Sequence, residues 1–186
     1  MKAQGDLRVA PTLNESLAAG DPAAFAALYD QLSGRLLNTA RTMAAPPADA
    51  EDIVHDLFVE LARHRTRLAS VADLEAYVFT MLRHAVSRRR RRAAIDRRAV
   101  AALGQQREHH GHGSTKPAAM PDDQLQAAVA ALPDAQREVV ALKLQGGLTF
   151  AEIAAAMGTS LNTAASRYRY AMERLRTLMQ PEEGSQ

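Results

Sequence analysis

The chain has 186 residues, 47% of them apolar and only 4% aromatic, which suits one ordinary domain or two small ones with cores of Ala, Leu, Val, Ile and Met. These residues favour helices over an extended β architecture. The lack of cysteine excludes disulfides, thiolate catalysis and cysteine-ligated zinc, and no apolar run has the length of a signal peptide or a membrane span, so we expect a cytoplasmic protein with no membrane partner.

The net charge of +2 conceals a segregation of acidic and basic residues along the chain. Residues 1–60 contain nine acids and four bases, whereas residues 61–108 contain twelve bases and four acids. The remaining residues contain seven bases and eight acids. One segment is therefore suited to bind a basic partner, and the next is suited to bind an anionic one.

A first helical module is predicted over residues 21–100, after an N-terminal tail of residues 1–20. Asp21 is a predicted N-cap with Pro22 at the first helical position, and three amphipathic helices follow. The second helix spans about residues 49–64, and the third begins near Leu74 and continues into a run of arginines. The apolar faces of these helices contain Phe25, Leu28, Tyr29, Leu32, Leu36, Ala40, Ile53, Val54, Leu57, Phe58, Leu61, Leu74, Tyr77, Val78, Met81, Leu82 and Ala85.

A second helical module is predicted over residues 122–180, followed by a tail of residues 181–186. The two modules are joined by a predicted flexible linker, residues 101–121, whose Gly, His, Ser, Thr and Lys residues show no apolar period. Breaks at Pro133, at residues 146–147 and at Gly158 divide the second module into helices over about residues 122–132, 133–145, 149–157 and 160–179. The sequence thus predicts an all-α protein of two small modules.

The last two predicted helices have the pattern of a helix-turn-helix. Thr149 and Glu152 form a capping box, Gly158 permits a left-handed turn, and the small Ala154 lets the helices cross closely. The side chains predicted to face inward on the second helix are Leu161, Ala164, Ala165, Tyr168, Met172 and Leu175. Those left to face base edges and phosphates are Asn162, Thr163, Ser166, Arg167, Arg169 and Tyr170. The alternative is a plain helical hairpin with a solvated face.

Five consecutive arginines, residues 88–92, cannot form part of a core and would repel one another without an anionic partner. Phosphate is the obvious counter-charge, although such a run can also be a solvated basic face. Tyr77, Phe79 and His84 precede the run on the same predicted helix. Stacking groups and positive charge would then lie together, as single-strand binding requires.

An acidic stripe runs beside the apolar face of the predicted helix at residues 49–64. Asp49, Asp52, Asp56 and Glu60 follow one another at helical spacings, with Glu51 beside them. The stripe is either a docking surface for a basic partner or a solvated face on which Asp49 caps the helix.

No pattern in the sequence predicts a metal, a cofactor or a catalytic group. Histidines 109, 110 and 112 lie in the predicted linker without a carboxylate or cysteine at ligand spacing, and His55 and His64 are too far apart on one helix. Nucleophile elbows, phosphate loops and acid pairs are also missing from the sequence. We therefore predict that the protein is not an enzyme.

Taken in order, these motifs resemble the extracytoplasmic-function sigma factors, the bacterial RNA polymerase subunits that contain only sigma regions 2 and 4. The resemblance covers Ala-Gly-Asp-Pro-Ala-Ala-Phe at residues 19–25, Asp-Ala-Glu-Asp-Ile-Val-His-Asp-Leu-Phe at 49–58, Ala-Leu-Pro-Asp-Ala-Gln-Arg-Glu-Val at 131–139, Leu-Thr-Phe-Ala-Glu-Ile-Ala at 148–154 and Asn-Thr-Ala-Ala-Ser-Arg at 162–167. It implies a subunit that binds core RNA polymerase, recognises promoters and promotes DNA melting.

The resemblance also implies three binding surfaces. Residues implied to dock on the clamp helices of the largest polymerase subunit are Asp49, Glu51, Asp52, Ile53, Asp56, Phe58 and Glu60. Residues implied to engage the minus-10 element and its melted non-template strand are Arg65, Arg67, Tyr77, Arg83, His84, Ser87, Arg88, Arg89, Arg90 and Arg91. Residues implied to read the duplex minus-35 element are Thr149, Ser160, Asn162, Thr163, Ser166, Arg167, Arg169 and Tyr170.

Departures from the family pattern concern promoter specificity. The third helix has Tyr77 and His84 where the family usually has Trp and Asn, and the recognition helix has Ala165 and Tyr170 where basic residues are common. Two other readings are a helix-turn-helix repressor or activator and a protein-only adaptor, although the adaptor leaves the arginine run without a partner. The sequence leaves open whether an anti-sigma factor sequesters the protein.

Overall fold

The computed structural model describes residues 11–44, 47–103 and 121–180, and within these ranges the secondary structure is entirely helical. This confirms the predicted all-α class. The α-helices are α1 (Leu13–Ala19), α2 (Pro22–Met43), α3 (Ala50–Arg63), α4 (Leu74–Leu103), α5 (Pro121–Ala130), α6 (Asp134–Leu144), α7 (Phe150–Met157) and α8 (Leu161–Met179). Two 3-10 segments, Pro47–Asp49 and Arg65–Ser70, precede α3 and α4.

Helix α1 lies within the segment predicted as a tail. The Thr12 hydroxyl accepts a hydrogen bond from the Glu15 backbone N–H, and the Glu15 carboxylate accepts one from the Thr12 N–H at 2.7 Å. The latter bond lowers the pKa of Glu15. Leu17 is fully buried and the Asn14 amide donates to the Val71 carbonyl, so α1 is fixed against the 3-10 segment Arg65–Ser70.

Helices α2, α3 and α4 form the first module, and most of their predicted apolar faces are buried. Asp21 caps α2 as predicted, accepting from the Ala23 N–H at 3.0 Å. Two predictions on these helices are wrong. Tyr29 is 50% exposed and packs its ring on Phe58, whereas Phe79, predicted to be a stacking group, is fully buried and contributes to the core instead.

Helices α5 to α8 form the second module, with bounds within two residues of those predicted. Its interior between α5, α6 and α8 includes Ala128, Leu132, Val140, Ala171 and Leu175. Gly158 ends α7 in the left-handed conformation, φ 60°, and Ala154 is buried, as the helix-turn-helix pattern requires. The inward orientation predicted for Leu161 is wrong, because its side chain is 52% exposed at the start of α8.

The two modules pack directly against each other. Helix α2 contacts α6, and α4 contacts α7, so that buried side chains of both modules form one apolar cluster. Helix α4 continues three residues into the predicted linker, and linker residues 104–120 lie outside the described residues. The described helices thus form a single packed body.

Two features are missing from the part of the chain that the structure describes. None of its helices combines the length and apolar character needed to cross a membrane. Its histidines and acids form no group of three or more that could hold a metal ion, and the linker histidines lie outside the described residues.

Candidate polymerase and DNA interfaces

The acidic stripe lies on the outer face of α3. Glu51, Asp52 and Asp56 are exposed, while the partly buried Asp49 and Glu60 are paired with arginines of α4. Ile53, the apolar residue among the predicted polymerase contacts, is only 4% exposed and packs in the core. In this position its side chain holds α3 against the rest of the bundle.

Asp49 stands at the N-cap position of α3, but its side chain forms an ion pair instead of a capping hydrogen bond. The Arg89 guanidinium donates to both of its carboxylate oxygens, at 2.9 and 3.1 Å, and Asp49 makes no side-chain capping hydrogen bond. The hydrogen bonds from Arg89 lower the pKa of Asp49, and Asp49 in turn raises the pKa of Arg89. Arg88 similarly donates to Glu60 at 3.0 Å.

The arginine run therefore has intramolecular counter-charges. Arg90 pairs with Asp134 and Glu138 of α6, and burial lowers the pKa of Arg90. Arg91 and Arg92 are exposed. Phosphate is thus not the only anion available to the run, because carboxylates of α3 and α6 already meet part of it.

The other residues predicted to bind the minus-10 element lie on α4 and on the 3-10 segment before it. Arg65 and Arg67 are exposed on that segment, and His84 is exposed on α4. Spacings of seven and four place Tyr77, His84 and Arg88 on one side of α4.

Arg83 and Ser87 differ from these residues because they lie toward the second module. The Arg83 guanidinium donates to Glu138 at 3.1 Å and to the Ala156 carbonyl at 3.2 Å, and only 22% of its side chain is exposed. Ser87 lines a cavity between α4 and α6. In this arrangement Arg83 is not accessible to DNA.

The polar residues of the helix-turn-helix divide into caps and exposed side chains. The Thr149 hydroxyl accepts from the Glu152 N–H, and the Ser160 hydroxyl accepts from the Thr163 N–H at 3.1 Å, so both residues serve as N-caps. Ser166 and Arg167 are half-buried, and Thr163 is also half-buried. Among the residues of α8 predicted to bind DNA, the exposed ones are Asn162, Arg169 and Tyr170, with the Arg169 guanidinium 5.1 Å from the centre of the Tyr170 ring.

Two residues near these surfaces were not identified from the sequence. Tyr29 adds an exposed aromatic ring beside Phe58, with ring centres 5.0 Å apart, next to the acidic stripe. Arg35 pairs with Glu75 at 2.6 Å and also donates to the Gly146 carbonyl in the second module. Tyr29 was assigned to the core by its helical spacing, and no local pattern marks Arg35.

Comparison with known families decides between the alternative readings. The family model for Sigma-70 region 2 matches residues 28–95, and that for Sigma-70 region 4 matches residues 122–175. The chain is 27% identical over 175 residues to the ECF RNA polymerase sigma factor SigK of Mycobacterium tuberculosis, a match that covers 88% of this chain and 89% of that protein. The chain belongs to the extracytoplasmic-function sigma factors.

Other relatives agree with this assignment. SigK of Mycobacterium ulcerans is 27% identical over 179 residues, which cover 90% of this sigma factor and 91% of the relative. The repressor and adaptor readings are wrong, since neither accounts for a region 2 match. The protein is a non-enzymatic subunit that binds core RNA polymerase and recognises promoters to initiate transcription.

Solved structures share the fold of this sigma factor. The structure of the sigma factor RpoE in complex with the anti-sigma factor NepR from Bartonella quintana has a TM-score of 0.69 at 22% identity, covering 86% of this chain and 98% of that one. The structure of CnrH in complex with the cytosolic domain of CnrY has a TM-score of 0.64 at 24% identity, covering 90% and 94%.

Proposed function

We propose that the outer face of α3 is the surface with which this sigma factor docks on the clamp helices of core polymerase. The observation that carries the proposal is the row of exposed carboxylates of Glu51, Asp52 and Asp56 beside the Tyr29–Phe58 ring pair. Aromatic side chains flanked by charge are typical of the energetic centres of interfaces. Glu60 extends the row, because Arg88 donates to only one of its two carboxylate oxygens.

The test is charge reversal of the two central carboxylates, Asp52→Lys with Asp56→Lys. We expect core-polymerase affinity to fall at least about tenfold, because like-charge contact across an interface costs several kcal/mol. Both side chains are exposed, so circular dichroism and the unfolding midpoint should stay unchanged. Asp30→Lys, at an exposed acid on α2, is the control. Unchanged affinity of the double variant in a pull-down would remove α3 from the docking surface.

We propose further that α4 and the preceding 3-10 segment engage the minus-10 element and help to keep its non-template strand unpaired. Support comes from the line of Tyr77, His84 and Arg88 along α4. Stacking recovers about 1–3 kcal/mol per base, whereas unpairing costs a few kcal/mol. Binding to core polymerase must therefore contribute the remaining free energy of melting.

Arg91 is the clearest residue with which to test the backbone contact, because its side chain is exposed. We expect Arg91→Ala to weaken the promoter complex and to make the dependence of log affinity on log salt shallower by about one unit, the effect of one lost phosphate contact. Arg176→Ala, an exposed arginine in the last turn of α8, should leave the slope unaltered. An identical slope for both variants would contradict the proposal.

We propose that the first turns of α8 read the duplex minus-35 element through Asn162, Ser166, Arg167 and Arg169. Thr149 and Ser160 would assist through the helix ends that they cap, since exposed backbone N–H groups at helix N-termini favour phosphate. The test is transcription by core polymerase from a randomised promoter library, with and without this sigma factor. The sequences of the transcribed promoters show the preferences at the minus-10 and minus-35 elements in one experiment. If the selected promoters showed no preferred sequence about 25 base pairs upstream of the melted region, this role would be contradicted.

Anti-sigma binding is a further proposal for this chain. Two proteins of the same fold were solved in complexes, CnrH with the cytosolic domain of CnrY and RpoE with the anti-sigma factor NepR. We propose that an anti-sigma factor also sequesters this sigma factor, in the cytoplasm where its polymerase acts. A co-purification from cells, repeated after the polymerase has been removed, tests it.

A further inference from the structure

The 3-10 segment Arg65–Ser70 lies between α3 and α4 and carries part of the surface proposed above for the minus-10 element. Five of its six residues are exposed, Arg65 and Arg67 among them, and only Leu68 is buried. The hydrogen bonds of a 3-10 turn have poorer geometry than those of an α-helix, and runs beyond three or four residues are uncommon. The shape of this segment therefore depends on what packs against it.

Helix α1 is the main packing partner of this segment. Among the described elements, α1 has the most extensive contact with the segment, and it contacts α2 to a smaller extent. Leu17 is the single buried residue of α1, as Leu68 is of the segment, and both belong to one apolar cluster. A segment that buries one side chain gains little from the hydrophobic effect by itself. Its order therefore depends on α1.

A side-chain hydrogen bond joins α1 to the end of the segment. The Asn14 amide nitrogen donates to the Val71 carbonyl oxygen at 2.7 Å in a partly buried position. Val71 directly follows the segment, and its own N–H donates to the Leu68 carbonyl at 3.2 Å. Asn14 thus fixes the backbone at the point where the segment ends, just before α4.

The carboxyl end of α1 meets the start of the segment. Gly20 ends α1 with φ +86°, and a Cβ on Gly20 would come within 2.9 Å of the Arg65 Nε atom. The carboxyl end of a helix favours a nearby positive charge. Helix α1 therefore holds the segment on both sides, at Arg65 and at Val71.

We propose that Asn14 is a positioning residue for promoter recognition, through which α1 holds the 3-10 segment in the shape that presents Arg65 and Arg67 to the minus-10 element. The proposal rests on the assignment of the segment to that element made above. The Asn14 amide acts through the Val71 carbonyl and not on DNA. A segment that is ordered before binding loses less conformational entropy when it binds. Removing its support therefore weakens recognition without removing a contact with DNA.

This role is separate from the other two proposed surfaces. In the described part of the chain, the extensive contacts of α1 are with the 3-10 segment and with α2. The exposed carboxylates proposed to dock on polymerase lie on α3, and the helix-turn-helix lies in the second module. Loss of the Asn14 hydrogen bond should therefore leave affinity for core polymerase and the minus-35 preference unchanged.

Amide hydrogen exchange in the free chain tests the effect on the segment itself. The N–H groups of Arg67 and Val71 donate to backbone carbonyls, so their exchange rates report how often the segment opens. We expect Asn14→Ala to speed both rates by about fivefold, the factor that corresponds to one net hydrogen bond. Asp21→Ala, which removes one hydrogen bond at the start of α2, is the matched control and should leave both rates unchanged. Parent rates in Asn14→Ala would overturn the proposal.

The effect on recognition is measured with the full chain bound to core polymerase. The probe is a single-stranded oligonucleotide with the non-template minus-10 sequence selected in the library experiment. Asn14→Ala should lower its affinity by up to about fivefold, because only the ordered fraction of the segment binds. The salt slope should stay that of the parent, because no phosphate contact is lost. Asn14→Asp, which keeps the shape but cannot donate to Val71, should weaken binding at least as much. Parent affinity in both Asn14 variants, with Asp21→Ala also unchanged, would contradict the positioning role.

Failure of the positioning role and failure of the minus-10 assignment have different signatures. Arg67→Ala removes an exposed arginine of the segment, so it should weaken oligonucleotide binding with a slope shallower by about one unit. If Arg67→Ala and Asn14→Ala both leave the affinity unchanged, the assignment of the segment to the minus-10 element is contradicted. If only Arg67→Ala weakens binding, the role of Asn14 alone is contradicted. Reduced affinity of Asn14→Ala for core polymerase would indicate a general structural effect and would also overturn the proposal.

Discussion

At the scale of single residues, side chains of the same type have different roles in this sigma factor, depending on their neighbours. Asp52 and Asp56 face solvent, whereas Asp49 accepts hydrogen bonds from Nε and Nη2 of Arg89. Among the apolar residues, Ile53 is inside and Tyr29 is outside, although both follow the helical period. Helical spacing identifies a face, but the neighbouring helices decide how much of that face is covered.

The Asp49–Arg89 pair predicts a pH-dependent contribution to stability. Since the folded pKa of Asp49 lies below its ordinary value of 3.8, the pair stabilises the fold fully above that pH, and the contribution is lost as pH falls through the folded pKa. Urea unfolding from pH 6 to pH 2 should show Asp49→Asn less stable than the parent chain at pH 6 and equally stable at the acid end. Arg89→Ala should give the same profile. A difference that persists below the folded pKa would contradict this account.

At the scale of helices, local signals located most of the elements. The predicted caps at Asp21 and Thr149 located the starts of α2 and α7, and the break at Gly158 located the end of α7, because capping is decided by nearest neighbours in the chain. Helix α1 carries the same signal in Thr12 and Glu15, but it has only 7 residues and buries a single leucine. Its apolar period is too short to be detected, and contact with residues 65–70 stabilises it.

Two glycines, one in each module, should respond to alanine in opposite ways. Gly34 lies inside α2 with open space around its Cα, so Gly34→Ala should stabilise the fold by about 0.5–1 kcal/mol. Gly147→Ala should destabilise it, because φ is +71° and the new methyl group would meet the Arg35 guanidinium. Urea unfolding of both variants measures the two signs. Equal shifts of the midpoint would show that Gly147 is not constrained.

At the scale of the whole molecule, the sequence predicted two modules correctly but not their contact. The hydrogen bond from Arg35 to Gly146 joins residues 111 positions apart, and that from Arg83 to Ala156 joins residues 73 apart. Neither partner stands out in a pattern of local period or capping. The polymerase and promoter surfaces were suggested by the family resemblance, whereas their partial occupation by the chain itself is a tertiary property.

The shared apolar cluster predicts cooperative unfolding of the two modules. Because buried side chains of both belong to one cluster, differential scanning calorimetry of the free chain should give a single transition whose calorimetric and van't Hoff enthalpies agree. Glu138→Gln should broaden or split that transition, while Glu173→Gln should leave it single. Two separate transitions in the parent chain would mean that the modules unfold independently.

The contacts of Arg83 and Arg90 with α6 and α7 join two modules, and this limits how the protein can be recombined. A chimaera that joins residues 11–103 to the region 4 of a related factor keeps Arg35, Arg83 and Arg90. It keeps the carboxylate partners of Arg83 and Arg90 only if the related factor has acids at the positions equivalent to 134 and 138. It keeps the fit of the loop beside Arg35 only if that factor has a glycine at the position equivalent to 147. Mismatched hybrids would carry uncovered arginines, so background binding to cellular nucleic acid would rise even when each half is intact.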